Sequence, residues 1–274
     1  MTGMLSALHG WLKGDTVTDI SVVIPVGPKK EYLEWLPECI ESVMNQTHKP
    51  KEIIIVDDSC GVLIDESINH CFGKGRLKFI DLFGLPADEC CENSVVKENK
   101  TEFHVDGFPI ISYFKTPWNV GVADAFNFGV GLSTSNLVFM LGSDDKLMPT
   151  CLEEVVKEYD KQQIEGWYNV TLVTSTGEES WIPNNAAATT RKLWKWVGGF
   201  PPSAGVAACD AVVLSILMKH APERIVQVKQ GTPLYWGRVH EHQDTRHNMA
   251  YFATSGIVEV IRNLETQRWE PRDE

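Results

Sequence analysis

Two adjacent carboxylates, Asp144 and Asp145, follow a short apolar run, N-L-V-F-M-L at 136–141, with Gly142 and Ser143 between. A run of this length is the pattern of a strand buried between two layers. The carboxyl ends of such strands are where open α/β sheets bind ligands. Oxygen donors of this hardness suit magnesium or manganese. A bare Asp-Asp is otherwise a solvated acidic turn; the strand before it and the Met148-Pro149 restart after it favour the ligand site. A second pair, Asp57-Asp58, ends the apolar run 53–56. It reads either as a hydrogen-bond acceptor for a nucleoside at a strand tip or as a loop pair or helix cap. A third acid, Asp210, stands at the head of the apolar stretch 207–220. There it either satisfies the free N–H groups of a helix start or takes the proton of an attacking hydroxyl. Arg238 and His240 alternate onto one face of a strand, as ligand groups or as a solvated strand end.

These groups need a scaffold, and the chain supplies a repeating one. I-S-V-V-I-P-V at 20–26 is a β-branched run and predicts a strand. Tyr32, Leu33, Leu36, Ile40, Val43 and Met44 recur with helical spacing, and His48-Lys49-Pro50 ends that helix. Strands follow at 53–56 and 77–82. Strand, helix, strand with short joints predicts a right-handed crossover and a parallel sheet. Asn119 and Gly121 open a further helix as its polar cap and first small residue. Ala123, Ala125, Phe126 and Val130 form its packing face, and Gly129 and Gly131 loosen its end. The polar segment 84–110, with Cys90-Cys91 and His104, reads as an insertion that covers the site or makes an oligomer contact. Beyond the acidic turn, helices are expected at 151–159, 193–197, 207–220 and 249–264, and a strand at 167–174. The stretch 184–190, N-N-A-A-A-T-T, reads as a small polar connection and 269–274 as a charged tail. Trp181, Trp194 and Trp196 are core residues or, less often, platforms for a sugar face.

Composition bounds the alternatives. Of 274 residues, 43% are hydrophobic and 23% charged, as in a soluble globular protein. The net charge of −12 argues against a general phosphate-backbone binder, which needs a basic face. Seven cysteines with no C-x-x-C pair read as reduced, cytoplasmic usage. No apolar run approaches the roughly 20 residues of a membrane span. The amphipathic start, with Leu5, Leu8, Trp11 and Leu12, reads as a helix docked on the body.

S-V-V-I-P-V, V-D-D-S, N-V-G-V-A-D-A-F-N-F-G and G-S-D-D-K-L-M-P, in that order, resemble the family 2 glycosyltransferases of the GT-A fold. The resemblance runs from about 20 to about 240 and includes P-L-Y-W-G-R-V-H at 233–240. It implies an α/β body at 20–247 with a Rossmann-like, mostly parallel sheet. A nucleotide-binding half would span about 20–145 and an acceptor half 146–247, flanked by an N-terminal segment at 1–19 and a C-terminal helix and tail at 248–274. The implied reaction moves a sugar from a nucleoside diphosphate sugar, with UDP as the default, to a hydroxyl, with inversion and a Mn2+ or Mg2+ cofactor.

The resemblance also implies roles. Pro25 and Val26 mark the first strand tip, and Asp58 or Asp57 contacts the base. Asn119, Gly121, Asn127, Ser143, Asp144 and Arg238 complete the donor site. Asp144, Asp145 and His240 hold the metal, and Asp210 is the base. Gly142 stands where D-x-D-D has its first Asp, which leaves metal binding to the last two carboxylates and a further ligand. A non-catalytic nucleotide-sugar binding module and a sugar nucleotidyltransferase are the rival expectations. The acceptor is left open among a glycan, a lipid-linked sugar, a protein side chain and a hydroxylated nucleic-acid base. A homo-oligomer is a further expectation.

Overall fold

The computed structural model of the chain describes residues 18–58, 94–97, 100–103, 109–116, 118–181, 184–201, 209–241, 260–263 and 268–271. The strands are β1 Ile20–Val26, β2 Glu52–Asp57, β3 Ser94–Lys97, β4 Lys100–Phe103, β5 Ile110–Lys115, β6 Leu137–Met140, β7 Lys146–Leu147, β8 Trp167–Thr174, β9 Glu179–Ser180, β10 Ala187–Thr190, β11 Ile225–Gly237, β12 Val260–Asn263 and β13 Arg268–Pro271. The helices are α1 Lys30–Met44, α2 Val122–Leu132, α3 Cys151–Gln162, α4 Arg191–Val197 and α5 Cys209–His220. One sheet carries the body in the order β3-β4-β5-β2-β1-β6-β10-β8-β11-β7, with β9 beside β8.

β1, β2, β5 and β6 run parallel, as expected of the nucleotide-binding half. Every residue of β1 and β2 is buried, so neither strand shows a polar face. Val22, Ile24 and Val26 of β1 pack with α1 and α3, while Val23 packs with α2, α4 and α5 on the opposite face. The sheet is therefore covered on both sides, which is what parallel strands require. Gly129 does not loosen the end of α2. A Cβ added there would lie 2.1 Å from Val23 Cγ1, so its hydrogen side chain lets the helix sit against β1.

The acceptor half is largely antiparallel. β10 runs against both β6 and β8, with Ala187 opposite Met140 and Asn169. The small polar connection expected over 184–190 is thus a central strand at Ala187–Thr190, wholly buried. Its alanines allow close layers on both faces, where Ala188 joins one core and Ala187 the other.

The insertion contributes a hairpin, β3-β4, whose second strand pairs antiparallel with β5 and extends the sheet. Two further expectations change. The C-terminal helix and charged tail give way, where described, to the antiparallel pair β12-β13, with Val260 opposite Pro271 and Asn263 opposite Arg268. Val260, Ile261 and Trp269 are residue types that favour strands. The helix expected at 151–159 extends to Gln162. The amphipathic start, the strand at 77–82, Cys90-Cys91 and His104 lie outside the described residues. Cys39, Cys151 and Cys209 are free and buried. Burial pushes the Cys209 thiol up to about 12 and Cys151 further, which leaves both unreactive. No helix among the described residues is long and apolar enough to cross a membrane.

Candidate active site

Strand direction gathers the candidate residues at one edge. β5, β2, β1 and β6 are parallel; β10 reverses twice, so β8 and β11 run with them. Val26, Asp57-Asp58, Thr116, the turn from Gly142 and the segment after Gly237 therefore follow carboxyl ends on the same side. Asn184 and Asn185 lie there too, because β10 begins at that edge.

The acidic turn is held on all sides. Asp145 is partly buried. The Tyr235 hydroxyl donates to its Oδ2 at 2.6 Å, and the Arg238 backbone N–H donates to its Oδ1 at 2.8 Å. Burial first, and the Asp144 charge second, push the Asp145 carboxyl up to about 8 against the pull of those hydrogen bonds. Asp144 is placed differently. Its Oδ2 lies 2.9 Å from His240 Nε2, and its backbone carbonyl accepts from Arg238 Nε at 3.0 Å. Ser143, just before the pair, is buried. The turn also explains Gly142. An added Cβ would lie 2.8 Å from Asp144 Oδ1 and 2.9 Å from Asp145 Oδ2, so a side chain there displaces a carboxylate.

One face of α1 supports the turn from outside. Glu38 bridges Lys146 Nζ and Arg238 Nη2, each at 2.5 Å, and these cations hold its carboxyl below the usual range, Lys146 most strongly. Cys39 Sγ donates to the Gly142 carbonyl at 3.4 Å. The buried Gln46 amide donates to the Met148 carbonyl at 2.8 Å and accepts from the Leu152 N–H at 3.0 Å. The Arg238 guanidinium lies 5.2 Å from the Trp35 ring centre and 4.9 Å from that of Trp236, and Trp35 also lies 4.4 Å from the His240 ring. Arg238, expected in the donor site, lies in the wall of the turn.

The aromatic neighbours of the site are Trp35 and Trp236, not the three tryptophans singled out in sequence. Trp194 is core, 4.7 Å from Phe200; Trp196 packs partly buried against the same core; Trp181 is 56% exposed. Trp35 packs half-buried at the border of α1's apolar face, a placement that its sequence position does not distinguish from core.

At the tip of β2 both acids are buried. Asp57 accepts from the Tyr113 hydroxyl at 2.5 Å. Asp58 accepts from the N–H groups of Val120 at 2.6 Å and Gly121 at 2.9 Å, with the Thr116 hydroxyl 3.3 Å away. Its carboxylate secures the head of α2. Asn119 does not cap the helix: the N-cap is Gly121, and the Asn119 amide donates to the Asp58 carbonyl at 3.3 Å. A carboxylate offers about four lone-pair directions, so Asp58 retains room for a donor from a ligand. Asn127 leaves the donor set. Its Oδ1 accepts from the Phe200 N–H at 2.9 Å and its Nδ2 donates to the Phe200 carbonyl at 3.0 Å, which fastens α2 to the Gly198-Gly199-Phe200 turn.

Asp210 lies in the first turn of α5. Burial raises its carboxyl above the usual range, offset in part by the N–H groups of Ala211, of Asp210 itself and of Asn185. The contact with Asn185 puts this acid at the sheet edge that carries the acidic turn. His242 and His247 lie outside the described residues.

The metal set expected in sequence is reduced by this geometry. Among the described residues no three His, Cys, Asp or Glu groups form a metal-holding cluster. Each Asp145 oxygen already takes one hydrogen bond, from Tyr235 or the Arg238 N–H, which favours Asp144 and His240 as the adjacent donors. Two protein donors fit a small divalent ion that takes its remaining ligands from phosphate and water.

Proteins of known structure share the fold. The crystal structure of S. aureus TarS residues 1–349 in complex with UDP-GlcNAc superposes with a TM-score of 0.59 at 14% identity, covering 84% of this chain and 61% of that one. The S. aureus TarS structure of greater length gives 0.52, covering 86% of this chain and 39% of that one. These likenesses show the fold. In sequence, an uncharacterized glycosyltransferase of Rickettsia bellii is 29% identical over 138 residues, half of this chain and 14% of its own length. One of Rickettsia felis is 40% identical over 62 residues, 23% of this chain and 10% of its own. The chain thus spans a small part of the curated relatives it matches. The description of glycosyl transferase family 2 matches residues 21–60 and 96–199, more than half of the chain and every strand named above that ends at the acidic edge except β11, and on that match the chain belongs to glycosyl transferase family 2.

Proposed function

We propose that this chain transfers a sugar from a UDP-sugar to a hydroxyl acceptor, with inversion in a single displacement and with a bound Mn2+ or Mg2+. The observation that carries this reading is the Asp144–His240 pair, set at the sheet edge that also holds Asp58 and Asp210. The choice of UDP is supported by the TarS structure in complex with UDP-GlcNAc.

Asp144 and His240 would hold the cation, whose positive charge would offset that of the leaving diphosphate. Asp145 keeps the turn in shape from behind. Lys146 and Arg238 add cationic charge to its outer wall, where Glu38 fixes them. Pro25, Val26 and Asp58 line the nucleoside end, with Asp58 accepting from the base or ribose. Asp210 accepts the proton of the attacking hydroxyl, whose own pKa lies far above neutrality. Burial raises its carboxyl, which improves its match to a proton taken near neutral pH.

The test is a transfer and hydrolysis assay with a panel of UDP-sugars in Mn2+, repeated in excess chelator. Release of UDP that stops in chelator and returns with Mn2+ is the expected result. Binding of UDP-sugars with no turnover on any acceptor would leave a binding module instead.

A further inference from the structure

Tyr235 is a buried residue with a polar end placed where the acidic turn folds back. Its hydroxyl accepts from the Gly142 N–H at 3.3 Å and donates to Asp145 Oδ2 at 2.6 Å. It therefore joins the first and last residues of the turn G-S-D-D through a single oxygen. Its ring stacks on Phe139 of β6, with centres 6.3 Å apart and planes 20° apart. Its backbone pairs with Leu147 on β7 and Leu172 on β8. The hydroxyl is thus fixed by two strands and a stacked ring before it meets the turn.

Resting on the metal reading of Asp144 and His240 given above, we infer that Tyr235 is a positioning residue for the cation site. It holds Asp145 as an anchor behind the turn, so that Asp144 and not Asp145 faces the ion beside His240. Asp145 receives one hydrogen bond on each oxygen, from Tyr235 and from the Arg238 N–H, and so cannot swing outward without losing one. Gly142 completes the lock, because a Cβ there would strike both carboxylates. Groups that orient metal ligands from behind affect metal affinity roughly 10–100-fold when removed.

The test uses the whole chain. Tyr235→Phe keeps the ring and removes the hydroxyl; Gly142→Ala disturbs the same lock from the other side. Free Mn2+ is followed by electron paramagnetic resonance during titration in saturating UDP, alongside the thermal midpoint without metal. The expected result for both variants is Mn2+ affinity lower by about 10-fold or more, with a matching rise in the Mn2+ concentration needed for half-maximal turnover. Tyr235→Phe that binds Mn2+ as the unaltered chain does, whatever its thermal midpoint, overturns the inference alone. An unaltered chain that binds no Mn2+ in UDP overturns the metal reading and this inference together. If Tyr235→Phe does not fold, Gly142→Ala decides by the same readouts.

Discussion

His240 Nε2 lies 2.9 Å from Asp144 Oδ2, across 96 positions of sequence. The carboxylate comes from the end of β6 and the imidazole from the segment after β11. These ends meet because β10 reverses twice between β6 and β8 and restores a common direction. Asp144→Ala and His240→Ala should each lower UDP-sugar turnover by at least about 10²-fold, the scale of losing one group that stabilises developing charge. The thermal midpoint in chelator should stay near that of the unaltered chain. Turnover assays over a Mn2+ range and a melting curve check this; full activity in excess chelator refutes it.

Asp145 gives a pH dependence with a definite sign. Burial pushes the Asp145 carboxyl up to about 8 in the folded chain, well above an ordinary carboxyl. Between those values the folded state binds more protons than the unfolded one, so stability falls as pH rises, by at most about 1.4 kcal/mol per pH unit. The thermal midpoint of the metal-free protein should decline from about pH 5 to pH 8. Asp145→Asn should flatten that decline. A midpoint that rises over this range in the unaltered chain contradicts the assignment.

Asp58 and Asn127 should separate in experiment. Asp58→Ala removes the acceptor for Val120 and Gly121 and the proposed nucleoside contact. It should destabilise the fold by about 1.5–3 kcal/mol and weaken UDP binding. Asn127→Ala strands the buried Phe200 backbone groups. It should destabilise by about 1–3 kcal/mol while UDP affinity stays unchanged. Denaturant unfolding and calorimetry with UDP read both quantities. A loss of UDP affinity in Asn127→Ala at unchanged stability would return Asn127 to the donor site.

Asp210→Asn is the sharpest test of the base. Asn serves a helix start about as well as Asp, so stability should hardly move. Loss of a general base lowers turnover by roughly 10²–10⁴-fold. UDP affinity should be retained. Full-rate transfer by this variant would assign Asp210 to the helix start alone.

Much of the scaffold was readable from residue pattern. β1, β2 and β6 are apolar runs buried on both faces, β8 alternates, and α1 carries a clear stripe from Tyr32 to Val43. The acids at Asp58 and Asp144 stood out because each ends such a run. β10 did not, since Ala187, Ala188, Thr189 and Thr190 form a strand only because two neighbours already flank them. The division of labour within the acid pair was also hidden. It depends on Tyr235, 90 positions away, and sequence adjacency makes Asp144 and Asp145 look equivalent. Glu38 and Trp35 escaped notice because α1 reads as a packing helix, and its polar face meets the turn only after folding.

The placement of β10 has a consequence for anyone dividing this protein into parts. A cut after Asp145 follows the boundary between donor and acceptor roles, but it removes β10 from β6. The L-V-F-M edge would then be bare in one fragment, a template for aggregation. The exposed turn at Thr174 to Glu178 lies between two hydrogen-bonded strands and leaves that pairing intact. Inserted tags and circular permutants of this chain belong there, since either keeps β6 and β10 in one chain.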